Sequence, residues 1–237
     1  ANAIGLYPGI PGEDVPVGAL VQNLPKGDHS TGLMEHSQVE TLLHEFGHML
    51  HGMFGGIQRW QGQSGWAMEW DFVEAPSQML EEWIWDYETL SRFAVNQQGE
   101  AIPKALLEKM QKARGFARGT HIQNQMFYAA LSLSYYQTPP QQLDLDAILM
   151  EKQAMYSPFG YIEDTHFYAN FGHLYGYSAI YYTYMWSEVI AADILQKFER
   201  EGMRNTDLAR HYRETVLAPG GSKDAAQLIE DFLGRPF

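Results

Sequence analysis

The sequence predicts a mainly α fold with a small β element near the N-terminus. Three observations point to it. Apolar residues recur close to a 3.6-residue period from Glu35 onward, Gly and Pro are concentrated before Met34, and one short alternating run, residues 15–21, reads as a strand.

Apart from that run, residues 1–34 read as irregular. The first helix is expected over residues 38–53, with Val39, Leu42, Leu43, Phe46, Met49 and Leu50 on its apolar stripe. Ser37 is the expected N-cap, and Glu40 three residues on completes a capping box. Gly55 and Gly56 end the helix. A loop rich in Gly and Gln follows over residues 55–69. A second helix is expected over 71–95, dense in Trp and Leu, with Pro76 acceptable only near its start or as a kink. Trp83, Trp85 and Tyr87 in it read as core. Further helices are expected over 103–119, 121–136, 145–155, 171–201 and 206–216, and a last one over 223–233 capped by Ser222. With no internal repeat and no linker after Met34, residues 1–237 read as one domain.

Composition narrows the function classes. At 45% hydrophobic and 14% aromatic residues, the 237-residue chain has the material for a packed core. There is no apolar run of about 18 residues, so no membrane-spanning helix is expected. The formal charge of −13 disfavours nucleic acid, whose phosphates favour a basic surface; it reads first as a soluble surface, with attraction of cationic peptides to a cleft as the alternative. The absence of cysteine excludes disulfides, thiolate metal sites and cysteine nucleophiles, and fits a reducing, cytoplasmic setting. Any metal must therefore be held by His, Asp or Glu. Residues 1–11 show no secretion signal, and the chain starts without Met, as expected of a processed product or a piece of a longer protein.

The chemistry concentrates in His44-Glu45-Phe46-Gly47-His48, the pattern His-Glu-x-x-His on a predicted helix. Residues at i and i+4 stack on one helix face, so both imidazoles reach a single ion. Glu45 lies beside them, placed to activate an attacking water. The apolar flanks predict a buried helix. Gly47, which costs about 1 kcal/mol against Ala in a helix interior, predicts a close neighbour there. A catalytic zinc takes three protein ligands. Glu69, Asp71, Glu74, Glu81 and Glu82 are the candidates for the third, and spacing does not separate them.

Two blocks carry a family resemblance. Val39-Glu40-Thr41-Leu42-Leu43-His44-Glu45-Phe46-Gly47-His48-Met49-Leu50-His51 and Asp71-Phe72-Val73-Glu74-Ala75-Pro76-Ser77-Gln78-Met79-Leu80-Glu81 resemble the metal helix and following helix of the thimet oligopeptidase family. Ala19-Leu20-Val21-Gln22-Asn23-Leu24-Pro25, Phe171-Gly172-His173-Leu174 with the tyrosines after it, and Pro219-Gly220-Gly221-Ser222 are similar to further family blocks, in order. The resemblance implies a zincin-like helical catalytic lobe and one zinc ion held in a His-His-Glu (gluzincin) set. It selects Glu74 as third ligand with His44 and His48, and implies an oligopeptidase acting on short peptides.

Tyr177, Tyr181 and Tyr184 fall at i, i+4 and i+7 and would share one helical face, a spacing that also suits an aromatic core stripe. The resemblance implies that Tyr177 and Tyr184 donate to the transition state and that His173 and Tyr181 bind substrate. The segment between His173 and Tyr177 is shorter than in thimet oligopeptidase and nearer the mitochondrial intermediate type. The family's N-terminal helical portion, the other wall of its peptide channel, has no counterpart here, so a second chain completing the channel is a possible partner. Endopeptidase action is the leading expectation. Release of C-terminal dipeptides, or peptide binding without cleavage, are the alternatives. His51 is expected either to orient the site or to be a core histidine, and Asp71 either to orient a ligand or to cap its helix.

Overall fold

The computed structural model describes residues 1–25 and 32–237. The part of the irregular N-terminal reading that falls on residues 26–31 lies outside the described residues. The described residues form ten α-helices, several short 3-10 turns and one small sheet, as the mainly α expectation requires.

The sheet pairs β1 (Asn2–Tyr7) antiparallel with β2 (Val17–Val21), in the register Asn2↔Val21, Ala3↔Leu20, Ile4↔Ala19 and Gly5↔Gly18. The expected run over 15–21 holds β2, whereas β1 falls in the stretch expected to be irregular. Gly5 sits at the centre of β1, where a strand ordinarily loses packing. Here the ring of Trp66 covers the bare backbone, and a Cβ on Gly5 would lie 2.5 Å from the nearest Trp66 ring atom.

Helix α1 (His36–Phe54) starts two residues earlier than expected, and Ser37 is not its cap. Glu35 takes that position, and its N–H donates to Gln38 Oε1 at 2.8 Å, so Glu35 and Gln38 form the box assigned to Ser37 and Glu40. Its C-terminus falls at Gly55, whose N–H donates to the His51 carbonyl.

The single helix expected over 71–95 is three pieces. Tight turns over 69–75 lead into α2 (Ala75–Glu81), with Pro76 in its first turn; a 3-10 turn follows (Glu82–Trp85), then α3 (Tyr87–Leu90). Asp86 makes the break. Its backbone is extended, and its carboxylate accepts from the Thr89 N–H at 2.9 Å and the Thr89 hydroxyl at 2.7 Å, restarting the helix.

Further along, α4 (Lys104–Arg114) and α5 (Arg118–Gln137) flank Ala117, which has a left-handed backbone (φ 56°), and α6 (Leu145–Tyr156) is capped by Asp144. The helix expected over 171–201 is also interrupted. A short α7 (His173–Gly176) is separated from α8 (Thr183–Glu201) by turns in which Ala179 takes φ 61°. The stretch 206–216 is α9 (Thr206–Tyr212) continued by a π-helical turn (Arg213–Leu217). The last helix, α10 (Ala225–Leu233), has Asp224 rather than Ser222 at its N-cap position, with no capping bond from the Asp224 side chain. Ser222 instead closes a 3-10 turn, its hydroxyl donating to the Pro219 carbonyl at 2.6 Å.

The chain forms two compact units, one of Ala1–Glu108 with Ser187–Phe237 and the other of Lys109–Trp186. In the first, Phe198 on α8 packs against Trp83, Tyr212 and Phe232, with ring centroids 5.2, 6.0 and 6.0 Å away. That places Trp83 in the core, as expected. In the second, Phe127, Leu131, Leu149 and Phe171 form the buried centre between α5, α6 and the α7 region. Among the described residues no helix is long and apolar enough to cross a membrane.

Candidate metal centre

His44 and His48 lie one turn apart on α1, with ring centroids 4.8 Å apart and planes nearly perpendicular. The carboxylate that meets them comes from the turn leading into α2. Two features bring it there. Gly47 lets the start of α2 lie directly on α1, because a Cβ at that position would stand 2.6 Å from Ser77 Cα. The close neighbour predicted for this glycine is therefore the backbone of the second block. Ser77, fully buried, then donates its hydroxyl to the Glu74 carbonyl at 2.8 Å and to Glu74 Oε2 at 3.3 Å, fixing the side chain of the residue three positions earlier.

The three donor atoms converge. Glu74 Oε2 lies 3.2 Å from His44 Nε2 and 3.1 Å from His48 Nε2, and the two Nε2 atoms are 3.2 Å apart. Tetrahedral zinc with bonds of about 2.0–2.1 Å sets its ligand atoms about 3.3–3.4 Å from one another. The triangle matches that to within a few tenths of an ångström, so the residues present fit a single ion. Among the described residues this is the one grouping of three such donors. Glu74 is buried to 1% exposure, whereas the imidazoles keep 20% and 14%, so the group is closed on the carboxylate side and accessible at the rings.

The other candidates for third ligand are placed elsewhere. Glu81 Oε1 meets the far nitrogen of His44, Nδ1, at 2.6 Å. With Nδ1–H directed to that carboxylate, Nε2 keeps its lone pair for the ion, the arrangement by which an outer carboxylate orients a metal-binding histidine. Glu69 accepts from the Ala225 N–H, and Asp71 gives its carbonyl to the Ser187 hydroxyl. Glu45 is buried on α1 between the two histidines.

The electrostatics belong to the metal-free chain. Burial depresses His44, but its hydrogen bonds to Glu74 and Glu81 outweigh that and raise it to about 10. Burial pushes Glu74 up, yet the two histidines more than reverse this and hold it well below the usual carboxylate range. Glu81 is raised, first by burial and further by Glu40 and Glu82, against the pull of His44. His51, fully buried one turn beyond His48, is lowered to about 3 by burial and then by the electrostatic influence of His48. Its ring meets Phe72 edge to face at 6.0 Å, and both its nitrogens lack a hydrogen-bond partner among the described residues.

Sequence reasoning missed Trp66. Its indole N–H donates to the His48 carbonyl at 2.8 Å, and its ring lies against Gly5 and Gly52, tying the loop over 55–69 to the metal helix. A tryptophan in a loop without helical period gives no local signal of the glycines it covers.

In the second unit the structure brings His173, Tyr177, Tyr181 and Tyr184 together without the helix expected to align them. The His173 ring lies 5.6, 5.2 and 5.7 Å from Tyr177, Tyr181 and Tyr184, and Tyr177 and Tyr184 are 5.4 Å apart. Tyr181 is buried, and its hydroxyl donates to Gln125 Oε1 at 3.1 Å.

A helix bearing His-Glu-x-x-His, with a carboxylate from the next helix closing the triangle, defines a candidate mononuclear metal centre of the His-His-Glu class. The sequence model of Peptidase family M3 matches residues 3–237, and the chain belongs to that family. This bears out the resemblance to the thimet oligopeptidase family. Mitochondrial intermediate peptidase of Arabidopsis thaliana is 35% identical over 224 residues, covering 93% of this chain and 32% of that protein. The mouse (Mus musculus) protein of that name is 34% identical over 221 residues, covering 92% of this chain and 31% of its own length. Oligopeptidase A of Escherichia coli (strain K12) is 34% identical over 209 residues, covering 86% of this chain and 31% of that protein. The chain spans about a third of the length of the curated relatives it matches.

Proposed function

We propose that this chain is the zinc-binding catalytic portion of a metalloendopeptidase that hydrolyses short peptides. The observation that carries the reading is the convergence of His44 Nε2, His48 Nε2 and Glu74 Oε2 within 3.2 Å of one another, on a helix that also bears Glu45. Two imidazoles and a carboxylate form one of the standard catalytic zinc sets, which favours zinc over harder ions that take oxygen donors alone. When bound, the ion supplies Lewis-acid polarisation of the scissile carbonyl and of the attacking water.

The chain's own residues do the rest. Glu45 takes the proton of the attacking water and delivers it to the leaving amine. Glu81 keeps the proton of His44 on Nδ1, and Ser77 holds the Glu74 carboxylate in place. Tyr177 and Tyr184 donate hydroxyls to the developing oxyanion, while His173 and Tyr181 bind substrate. Family resemblance supports these four roles, together with the gathering of their rings. Its proposed partners are peptides as substrate and a second chain completing the channel where the longer relatives have further sequence, with neither nucleic acid nor membrane. A cytoplasmic location goes with the bacterial relatives named oligopeptidase A, and cell fractionation tests it against the mitochondrial alternative.

Fluorogenic peptides of graded length, with chelator-treated and Glu45→Gln protein as controls, test the proposal. Internal cleavage abolished by both controls is the expected result. Terminal dipeptide release would instead point to a dipeptidyl carboxypeptidase. Peptide binding without turnover in the zinc-loaded chain would make it a binding fragment.

A further inference from the structure

The loop that joins the two halves of the metal site is held at both ends by one distant stretch of chain. The loop leaves α1 at Gly55 and re-enters the site at Glu69, five residues before Glu74. Residues 218–225, between the π-helical turn and α10, reach both points. At the first, Gly220 takes a left-handed backbone (φ 53°), and a Cβ there would stand 2.8 Å from the Gly55 carbonyl oxygen. The Gln58 side chain bridges the same place, donating to the Ala218 carbonyl at 2.6 Å. At the second, a Cβ on Gly221 would stand 2.7 Å from the Ala67 carbonyl carbon, and Glu69 Oε2 accepts the Ala225 N–H at 2.5 Å. The Glu69 carboxylate thus caps the first turn of α10, the nine-residue helix whose free N–H groups favour an anion. Its backbone carbonyl meanwhile accepts the Phe72 N–H at 3.0 Å, within the turn that delivers Glu74.

We propose that residues 218–225 act as a positioning clasp for the metal site, fixing the span between Gly55 and Glu69 and with it the place of Glu74 relative to His44 and His48. The inference rests on the reading of those three residues as one metal site. Glu69, Gly220 and Gly221 are positioning residues here, since none of them contributes a donor atom to the His44–His48–Glu74 group. The tight approach has a physical consequence. Two backbones in contact through bare glycines transmit a displacement directly, because no side chain lies between them to absorb it. A side-chain carboxylate on a helix terminus likewise has a narrow range of good geometries.

The test uses the full chain with Glu69→Ala, Glu69→Gln and Gly221→Ala, and with Asp207→Asn as a control that weakens the exposed Arg210–Asp207 pair on α9, outside the clasp. Hydrogen exchange of the metal-free proteins reads the clasp by itself. Amides of residues 68–75 should exchange faster in Glu69→Ala and Gly221→Ala, while those of α8 should not. Cobalt(II) titration reads the effect on the site, with affinity falling about 10- to 100-fold and the cobalt d–d spectrum changing in the same two variants. Glu69→Gln, whose amide oxygen still accepts from Ala225, should keep most of both, and Asp207→Asn all of both. Unchanged exchange over 68–75 and an unchanged cobalt spectrum in Glu69→Ala and Gly221→Ala would overturn the proposal. So would a general rise in exchange across α8 without local emphasis. Failure of the unmodified chain to bind cobalt would sink the metal reading, and the exchange experiment would still decide the clasp.

Discussion

Glu81 Oε1 and His44 Nδ1 meet at 2.6 Å, on the side of the imidazole away from Glu74. A carboxylate seven residues beyond Glu74 therefore orients the His44 ring. Replacing it with Gln keeps the shape but removes the charge that raises the basicity of the ring. Glu81→Gln should weaken zinc binding about 10- to 100-fold with little change in unfolding midpoint. Competition with a chromophoric chelator measures the first quantity and urea denaturation the second.

Gly47 is the second point where one atom matters. A methyl group there would stand 2.6 Å from Ser77 Cα and 3.0 Å from the Pro76 carbonyl oxygen, both of them backbone. Ala gains about 1 kcal/mol of helix propensity over Gly, and overpacking of this kind costs about 1–3 kcal/mol. Gly47→Ala should therefore be net destabilising, and zinc affinity should fall with it as α2 is pushed away. A higher urea midpoint in the variant would contradict the packing described for α1 and α2.

Metal binding should release a proton. In the metal-free chain His44 is raised to about 10 by Glu74 and Glu81, which outweigh burial, so it is protonated at pH 7. A raised folded value stabilises the metal-free protein fully below about 6.5, and this contribution is lost as pH rises through the folded value. An ion at Nε2 requires the neutral ring. Apparent affinity should thus climb by up to tenfold per pH unit between pH 6 and 9. Titration calorimetry in buffers of different ionisation enthalpy should find about one proton released per zinc at pH 7. Release of none would mean that His44 is already neutral.

His51 makes the opposite prediction for stability. Burial lowers it to about 3 from an ordinary 6.5, so below pH 6.5 the unfolded chain takes up a proton that the folded chain refuses. Its contribution is complete above that value and lost as pH falls towards 3. Between pH 6 and 4.5 it accounts for about 2 kcal/mol. Metal-free His51→Leu should show a shallower loss of stability over that range, measured by urea denaturation at each pH. An unchanged slope would remove His51 from the account.

Much of this centre was legible in the sequence because its determinants are local. The i, i+4 spacing of His44 and His48 survives any error in helix boundaries, and Gly47 announced a close neighbour without saying which. Less was legible where a distant partner overrides local preference. Nothing near Gly5 says that Trp66 will cover it, and nothing in the spacing of Glu69, Glu74 and Glu81 says that one caps α10, one meets both imidazoles and one orients His44. Periodicity also misled. It joined residues 71–95 and 171–201 into single helices, although Asp86 caps a new start and Ala179 turns left-handed. The tyrosines of the second stretch gather all the same, through turns rather than a shared helical face.

The most direct test is the coordination of zinc in the purified chain, measured as metal stoichiometry with X-ray absorption at the zinc edge. One ion per chain, bound by two imidazole nitrogens and a carboxylate oxygen at about 2.0–2.1 Å and lost in Glu74→Ala, is the predicted result. Zinc held undiminished by Glu74→Ala, or a first shell lacking the imidazole pair, would contradict the account.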